Sequence, residues 1–214
     1  MKTVKALLAL ATLASAQMAS AQTFQSQPYF GFEVGSTKVQ DATGSTASSL
    51  VSSLGGSAVV TQDSSVQSYK LIGGYKVSEN LDLELGYLKT STLDMNFAGV
   101  SGGNVAYSGN VNVKFSGYEY SAIVRPSISS GWNNAYVKLG GHTLDADAGF
   151  RVTAGNVNVG TSASVSGTGL LVGVGYDYPV DKNTSLRFAW TRYSDVAGED
   201  ITAKFVSIGA IYKF

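Results

Sequence analysis

The chain has 214 residues, with 15 basic and 15 acidic side chains, 14% charged overall and no cysteine. So sparse and balanced a charge excludes the basic footprint of a nucleic-acid binder, and without cysteine there is neither a disulfide framework nor a thiolate metal or nucleophile site. The 25 glycines and 12 tyrosines, against only three prolines, suit a wall of strands joined by tight turns.

In chain order, Lys2 and Lys5 precede an apolar run from Ala6 to Ala16, too short to span a bilayer but of the length of a secretory h-region. Ala19-Ser20-Ala21 has the small-residue form of a cleavage site, so the expectation is a signal peptide over 1–21 and a mature domain over 22–214. Beyond it no window approaches eighteen uninterrupted apolar residues, so a membrane span has to be a closed barrel, the other structure that pairs every backbone amide without water. The competing reading is a secreted, soluble β-sandwich with the same short strands and frequent glycine.

Period-two alternation then predicts eight strands. The first, Tyr29 to Val39, puts Phe30, Phe32 and Val34 on one face and Glu33 on the other. After a Ser/Gly-rich tract (40–67) read as a loop, Ser68 to Val77 presents Tyr69, Leu71 and Tyr75 opposite Lys70 and Ile72. The turn Ser78-Glu79-Asn80 leads to Leu81, Leu83, Leu85 and Tyr87, alternating with Asp82 and Glu84. A second loop is expected at 90–110, and a fourth strand within Val111 to Arg125, with Tyr118 and Tyr120 opposite Glu119, Ser121 and Arg125 and a bulge that could shift its register. The fifth strand sets Val137 and Leu139 against Tyr136, Lys138 and His142. A third loop is expected at 145–167. The sixth sets Leu170, Val172 and Val174 against Asp177, and the seventh sets Leu186, Phe188 and Trp190 against Arg187. After a shorter loop at 194–199, the last strand sets Val206, Ile208, Ala210, Tyr212 and Phe214 against Ser207, Gly209 and Lys213, with Phe205 and Ile211 breaking the alternation.

Connections thus alternate long and short, which is the pattern of an outer-membrane barrel with long extracellular loops and short periplasmic turns. Pro28, Pro126 and Pro179 fall at strand ends on the short-turn side, where a missing ladder donor is tolerated. Tyr75, Trp132, Tyr178, Tyr212 and Phe214 are expected to form one aromatic girdle, and Tyr69, Tyr87, Tyr118 and Trp190 the other.

Gly73-Gly74-Tyr75-Lys76-Val77, Leu83-Glu84-Leu85-Gly86-Tyr87, Leu139-Gly140-Gly141, Trp190-Thr191 and the C-terminal strand resemble the barrel of outer membrane protein A (OmpA) and its small relatives. The resemblance covers Tyr29 to Phe214. It implies an all-β, eight-stranded antiparallel up-and-down transmembrane barrel in the outer membrane of a Gram-negative bacterium, with inward charges pairing across a narrow lumen. Because the chain stops at Phe214, the expectation is a barrel domain alone, without the peptidoglycan-binding domain that OmpA appends. Glu84 matches the family's lumen glutamate, and Glu33 and Lys138 stand where relatives carry lumen charges. The family's basic residue on the fourth strand is not evident, so its particular gate pair does not transfer. Ser207, Gly209, Tyr212 and Phe214 resemble the terminal signal read by the barrel assembly machinery.

The expected site is therefore a lumen network drawn from Glu33, Lys70, Glu84, Glu119, Lys138, Asp177 and Arg187. Eight strands leave an interior just wide enough for side chains to fill, which favours a plugged lumen and a structural or surface-contact role over a narrow pore. A lipid A-modifying enzyme is the remote alternative. The single histidine, His142, points inward and lacks a His-x-Ser spacing, so neither catalysis nor a metal or other cofactor is expected. Expected partners are outer-membrane lipids and lipopolysaccharide, the assembly machinery during biogenesis, and an extracellular ligand at the loops. A monomer is expected.

Overall fold

The computed structural model describes residues 27–40, 57–62, 65–101, 103–126, 134–198 and 201–214. Residues 1–21, Trp132 and most of the first predicted loop lie outside these. Ten strands form: β1 (Gln27–Gln40), β2 (Ser57–Gln62), β3 (Val66–Lys76), β4 (Leu81–Thr90), β5 (Leu93–Val100), β6 (Ala106–Val124), β7 (Ala135–Ala154), β8 (Val157–Pro179), β9 (Thr184–Tyr193) and β10 (Thr202–Lys213). Eight of them close a ring in the order β6-β4-β3-β1-β10-β9-β8-β7, with β7 pairing back to β6. Every neighbouring pair is antiparallel. Closure leaves the ring no free edge, and apolar side chains such as Phe30, Leu71, Leu85, Tyr120, Val174 and Ile208 can face outward along it.

The first and last strands make the seam, from Tyr29 opposite Lys213 to Gln40 opposite Thr202. At its lower end the Gln27 side chain donates to the Phe214 carbonyl, and the Phe214 amide donates to Pro28 O at 3.2 Å. The turns from β3 to β4 and from β8 to β9 lie at this end. In the turn between β8 and β9 the Asp181 carboxylate accepts from the amides of Asn183 and Thr184 at 2.8 and 2.7 Å, and those two donors hold its pKa below the usual carboxylate range.

The other end departs from the expected loops. β5, read from sequence as part of a loop, pairs with β6, and β2 pairs with β5. The region 145–167 is a hairpin rather than a loop: β7 and β8 stay paired up to Ala154 opposite Val157, and Gly155, at φ +57°, opens the tight turn that a side chain would disfavour. The result is a sheet, β2-β5-β6-β7-β8, standing above the rim. No bulge interrupts β6 against β7, whose register runs unbroken from Val124 opposite Val137 to Tyr107 opposite Ala154. Where β4 gives way to β5, the Thr90 hydroxyl accepts from the Phe115 amide at 2.9 Å.

What changes at the rim is polarity rather than register. Along β7 the outward positions are Val137, Leu139 and Thr143 within the ring, then Asp145, Asp147, Arg151 and Thr153 above it. The inward ones are Lys138 and His142 within the ring, then Leu144, Ala146, Ala148, Phe150 and Val152 above it. The same inversion occurs on β6, from Tyr118 out and Glu119 in to Lys114 out and Phe115 in. An apolar solvent surrounds the ring and water surrounds the sheet, so the outward face follows its surroundings and the inward face takes the opposite character.

Candidate functional site: a charged lumen under an apolar cap

All eight ring strands send polar side chains to the centre. Lys70 Nζ on β3 lies 2.8 Å from Glu33 Oε2 on β1 and 3.4 Å from Glu119 Oε1 on β6. Lys138 Nζ on β7 bridges Glu119 Oε1 at 2.6 Å and Glu84 Oε2 on β4 at 3.2 Å. Arg187 on β9 bonds Glu84 Oε1 and takes Asp177 on β8 with two nitrogens, at 2.7 and 3.0 Å, with Glu33 Oε1 3.9 Å away. Arg125, just past β6, links Asp177 Oδ2 at 2.7 Å to Asp82 on β4. β10 contributes Ser207, whose hydroxyl donates to Glu33 at 2.8 Å. Tyr193 donates to Glu119 at 2.8 Å and Tyr29 to Glu84 at 2.9 Å. The Tyr136 ring carries the Arg187 guanidinium at 4.8 Å from its centroid.

The seven charges singled out from sequence therefore sit in one connected cluster, each almost completely buried. Sequence reasoning left out Asp82 and Arg125. Both were read as inward, but both stand at strand ends, where water rather than a partner was the natural expectation. Arg125 supplies a cation from the lower end of the fourth predicted strand rather than its middle. Five carboxylates (Glu33, Asp82, Glu84, Glu119, Asp177) thus face four cations (Lys70, Arg125, Lys138, Arg187). Burying ions costs several kcal/mol each unless they are paired and hydrogen-bonded, so the shared, multi-partner geometry is what makes so charged a core tenable.

Inward glycines make the room. A Cβ on Gly86 would stand 2.6 Å from Glu119 Cγ, and one on Gly175 would stand 2.3 Å from the Tyr136 ring. Those gaps are occupied by the long side chains of the neighbouring strand.

Above the charges lies a second layer that was not foreseen. Leu88, Phe115, Leu144, Leu171, Tyr193, Val196, Ala197, Ala203 and Phe205 form a buried apolar cluster from β4, β6, β7, β8, β9, the 3-10 turn Val196–Gly198 and β10. Phe205, one of the residues that broke the alternation of the last strand, is fully buried here, and its ring takes the Lys70 ammonium at 5.1 Å. Ile211, the other, packs inward with Tyr29 and Ile72 near the short-turn end. Their inward position is why the inner face of the last strand is not uniformly polar.

His142 lies between the two layers, fully buried, with Nε2 2.9 Å from the Ser194 carbonyl and its ring edge-on to Tyr193 at 5.5 Å. Its hydrogen-bond partner is a backbone carbonyl rather than a serine hydroxyl or a carboxylate. At the C-terminus, Ser207 faces the lumen and Gly209 does too, where a Cβ would stand 2.7 Å from Glu33 Cγ. Tyr212 and Phe214 face outward with their rings edge-to-face at 5.4 Å.

A comparison with curated protein sequences gives no match. Among solved structures the chain is similar to Ail, the attachment invasion locus protein of Yersinia pestis, at 15% identity over 90% of this chain and 100% of that one, with a TM-score of 0.47. It is similar to Neisserial surface protein A at 15% identity over 89% of this chain and 99% of that one (TM-score 0.41), and to the N-terminal β-barrel domain of Pseudomonas aeruginosa OprF at 14% identity over 89% and 100% (TM-score 0.39). Over residues 6–214 the sequence matches the outer membrane protein beta-barrel domain, and the chain belongs to that family.

Proposed function

We propose that this protein is a sealed barrel of the Gram-negative outer membrane whose work is done at its extracellular surface, by the sheet it holds above the membrane, and not by transport or catalysis. The observation that carries this reading is the double closure of the lumen: a salt-bridged and hydrogen-bonded layer to which all eight strands contribute, then an apolar layer through which a hydrated ion would have to pass undressed. Either layer alone raises a barrier to permeation, because bare charge in an apolar constriction loses its water without replacement. His142 has no acid or serine hydroxyl bonded to either ring nitrogen among the described residues, which supports a structural over a hydrolytic role for it. Export by removal of residues 1–21, recognition of Ser207, Gly209, Tyr212 and Phe214 during assembly, and a monomeric barrel belong to the same reading. Single-channel recording on refolded protein in planar bilayers tests it. No steady unitary steps are expected, and a large, stable porin-like conductance would replace this reading with that of a pore.

A further inference from the structure

On β1, β10 and β9 the outward row is apolar within the ring: Phe30, Phe32 and Val34; Val206, Ile208 and Tyr212; Leu186, Phe188 and Trp190. The first outward charge above each run is a cation, Lys38, Lys204 and Arg192, and the register makes these three direct neighbours. Lys38 pairs with Lys204 across β1 and β10, and Lys204 pairs with Arg192 across β10 and β9. With strands about 4.8 Å apart, three positive charges lie in a row about 10 Å long on the outer wall. Lys38 and Arg192 are exposed and Lys204 is half-buried between them.

Like charges set directly opposite one another on a sheet are destabilising, and no acid among the described residues is paired with these. Their same-face neighbours along the strands, Ser36, Gln40, Thr202, Val206, Trp190 and Ser194, include no acid, and no carboxylate among the described residues comes within salt-bridge distance of any of the three. The lumen shows that this chain pairs its buried charges thoroughly. An outward row left unpaired at the edge of the apolar wall is complementary to an anion that the surroundings supply.

We propose that Lys38, Lys204 and Arg192 form a binding site for the phosphorylated headgroup of an outer-leaflet glycolipid. The apolar positions below the row take the acyl chains and the cations take the phosphates, so one lipid satisfies both halves of the wall. The proposal rests on the barrel lying in the outer membrane and is independent of whether its lumen is sealed, so a conducting protein would leave it standing.

The test compares wild type with the triple variant Lys38→Ser/Lys204→Ser/Arg192→Ser, each refolded into phosphatidylcholine vesicles and checked by heat-modifiable migration. The probes are purified lipopolysaccharide, the same lipid after enzymatic dephosphorylation, and inorganic phosphate alone. At roughly a fivefold effect per cation, the triple variant should bind phosphorylated lipopolysaccharide about a hundredfold more weakly. Wild type should be stabilised against heat by that lipid and not by the other two probes. In phosphatidylcholine alone the variant should melt no lower than wild type, since it has lost a repulsion and no contact. Lys204→Gln carries the same prediction at about fivefold should the triple variant not fold. Unchanged affinity in a folded variant, or equal binding of the dephosphorylated lipid, would overturn the site. Stabilisation by inorganic phosphate equal to that by the lipid would reassign it as a simple anion site.

Discussion

Arg187→Leu is the most informative single change in the lumen. The guanidinium is 1% exposed, bonds Asp177 through two nitrogens and Glu84 through a third, and stacks on Tyr136. Removing one partner of a buried ion pair typically costs about 3 to 5 kcal/mol, because the other charge is left without compensation. Here neither carboxylate is fully orphaned: Glu84 keeps Lys138 at 3.2 Å and Asp177 keeps Arg125 at 2.7 Å. The cost should therefore fall near the lower figure, about 3 kcal/mol. Five carboxylates would then share three cations, so adding Glu84→Gln to Arg187→Leu should return about 1 to 2 kcal/mol, a coupling of the size seen between groups in one network. Urea unfolding in phosphatidylcholine vesicles, followed by tryptophan fluorescence and gel migration, measures both. Conductance separates the two layers: Arg187→Leu alone should stay silent because the apolar cap is intact, and adding Phe205→Ala and Leu171→Ala should open a path. A cost below about 1 kcal/mol, or strict additivity of the two lumen changes, would mean the salt bridges do not act as a network. Conduction by Arg187→Leu alone would mean the cap seals nothing.

Three further outcomes follow from the wall and its ends. Leu85, outward and 69% exposed to the membrane, should cost about 2 to 4 kcal/mol as Leu85→Arg if it lies near the midplane, whereas Ser162→Arg, outward on β8 above the rim, should stay within about 0.5 kcal/mol; equal losses in the same unfolding assay would place the membrane boundary wrongly. Gly140→Ala should destabilise by about 1 to 3 kcal/mol, since its Cβ would stand 2.0 Å from the Tyr120 carbonyl oxygen and backbone cannot step aside as a side chain can; a melting point equal to wild type would contradict the register of β6 on β7. Phe214→Asp, at a rim position 67% exposed, should lower outer-membrane levels in cells several-fold while barely moving the unfolding midpoint of protein refolded in vitro, and undiminished levels on immunoblots of membrane fractions would remove the assembly role.

How much of this was legible in the sequence depends on how sharply the surroundings contrast across the wall. Lipid outside and polar side chains inside force a strict period of two, so the inward and outward assignment of Glu33, Lys70, Glu84, Lys138, Asp177 and Arg187 could be read residue by residue, and the eight ring strands with it. Above the rim that contrast weakens. Ala146, Ala148 and Ala163 alternate with Asp147, Gly149 and Ser164, small residues whose periodicity is faint and whose polarity is inverted relative to the ring, so the hairpin passed for a loop. β2 is only six residues long, and β5 does alternate, with Leu93, Met95 and Phe97 buried against Asp94 and Asn96, but in eight residues set within a stretch otherwise read as a loop.

Alternation along one strand says which side a residue faces but nothing about its depth. Depth is set by strand tilt and stagger, which exist only once the ring has closed. Closure alone therefore decided that Arg187 reaches Glu84 across the lumen, that Arg125 at one strand's end joins Asp82 and Asp177, and that Lys38, far from Arg192 and Lys204 along the chain, stands side by side with them. The period-two rows and the sorting of long and short connections pointed in the sequence to a closed, outward-apolar barrel rather than a sandwich, because a sheet whose apolar face meets lipid has to close to pair its backbone. The partners inside it, the apolar cap over them and the sheet above were decided by the tertiary structure, because each depends on which residues the stagger brings to the same height.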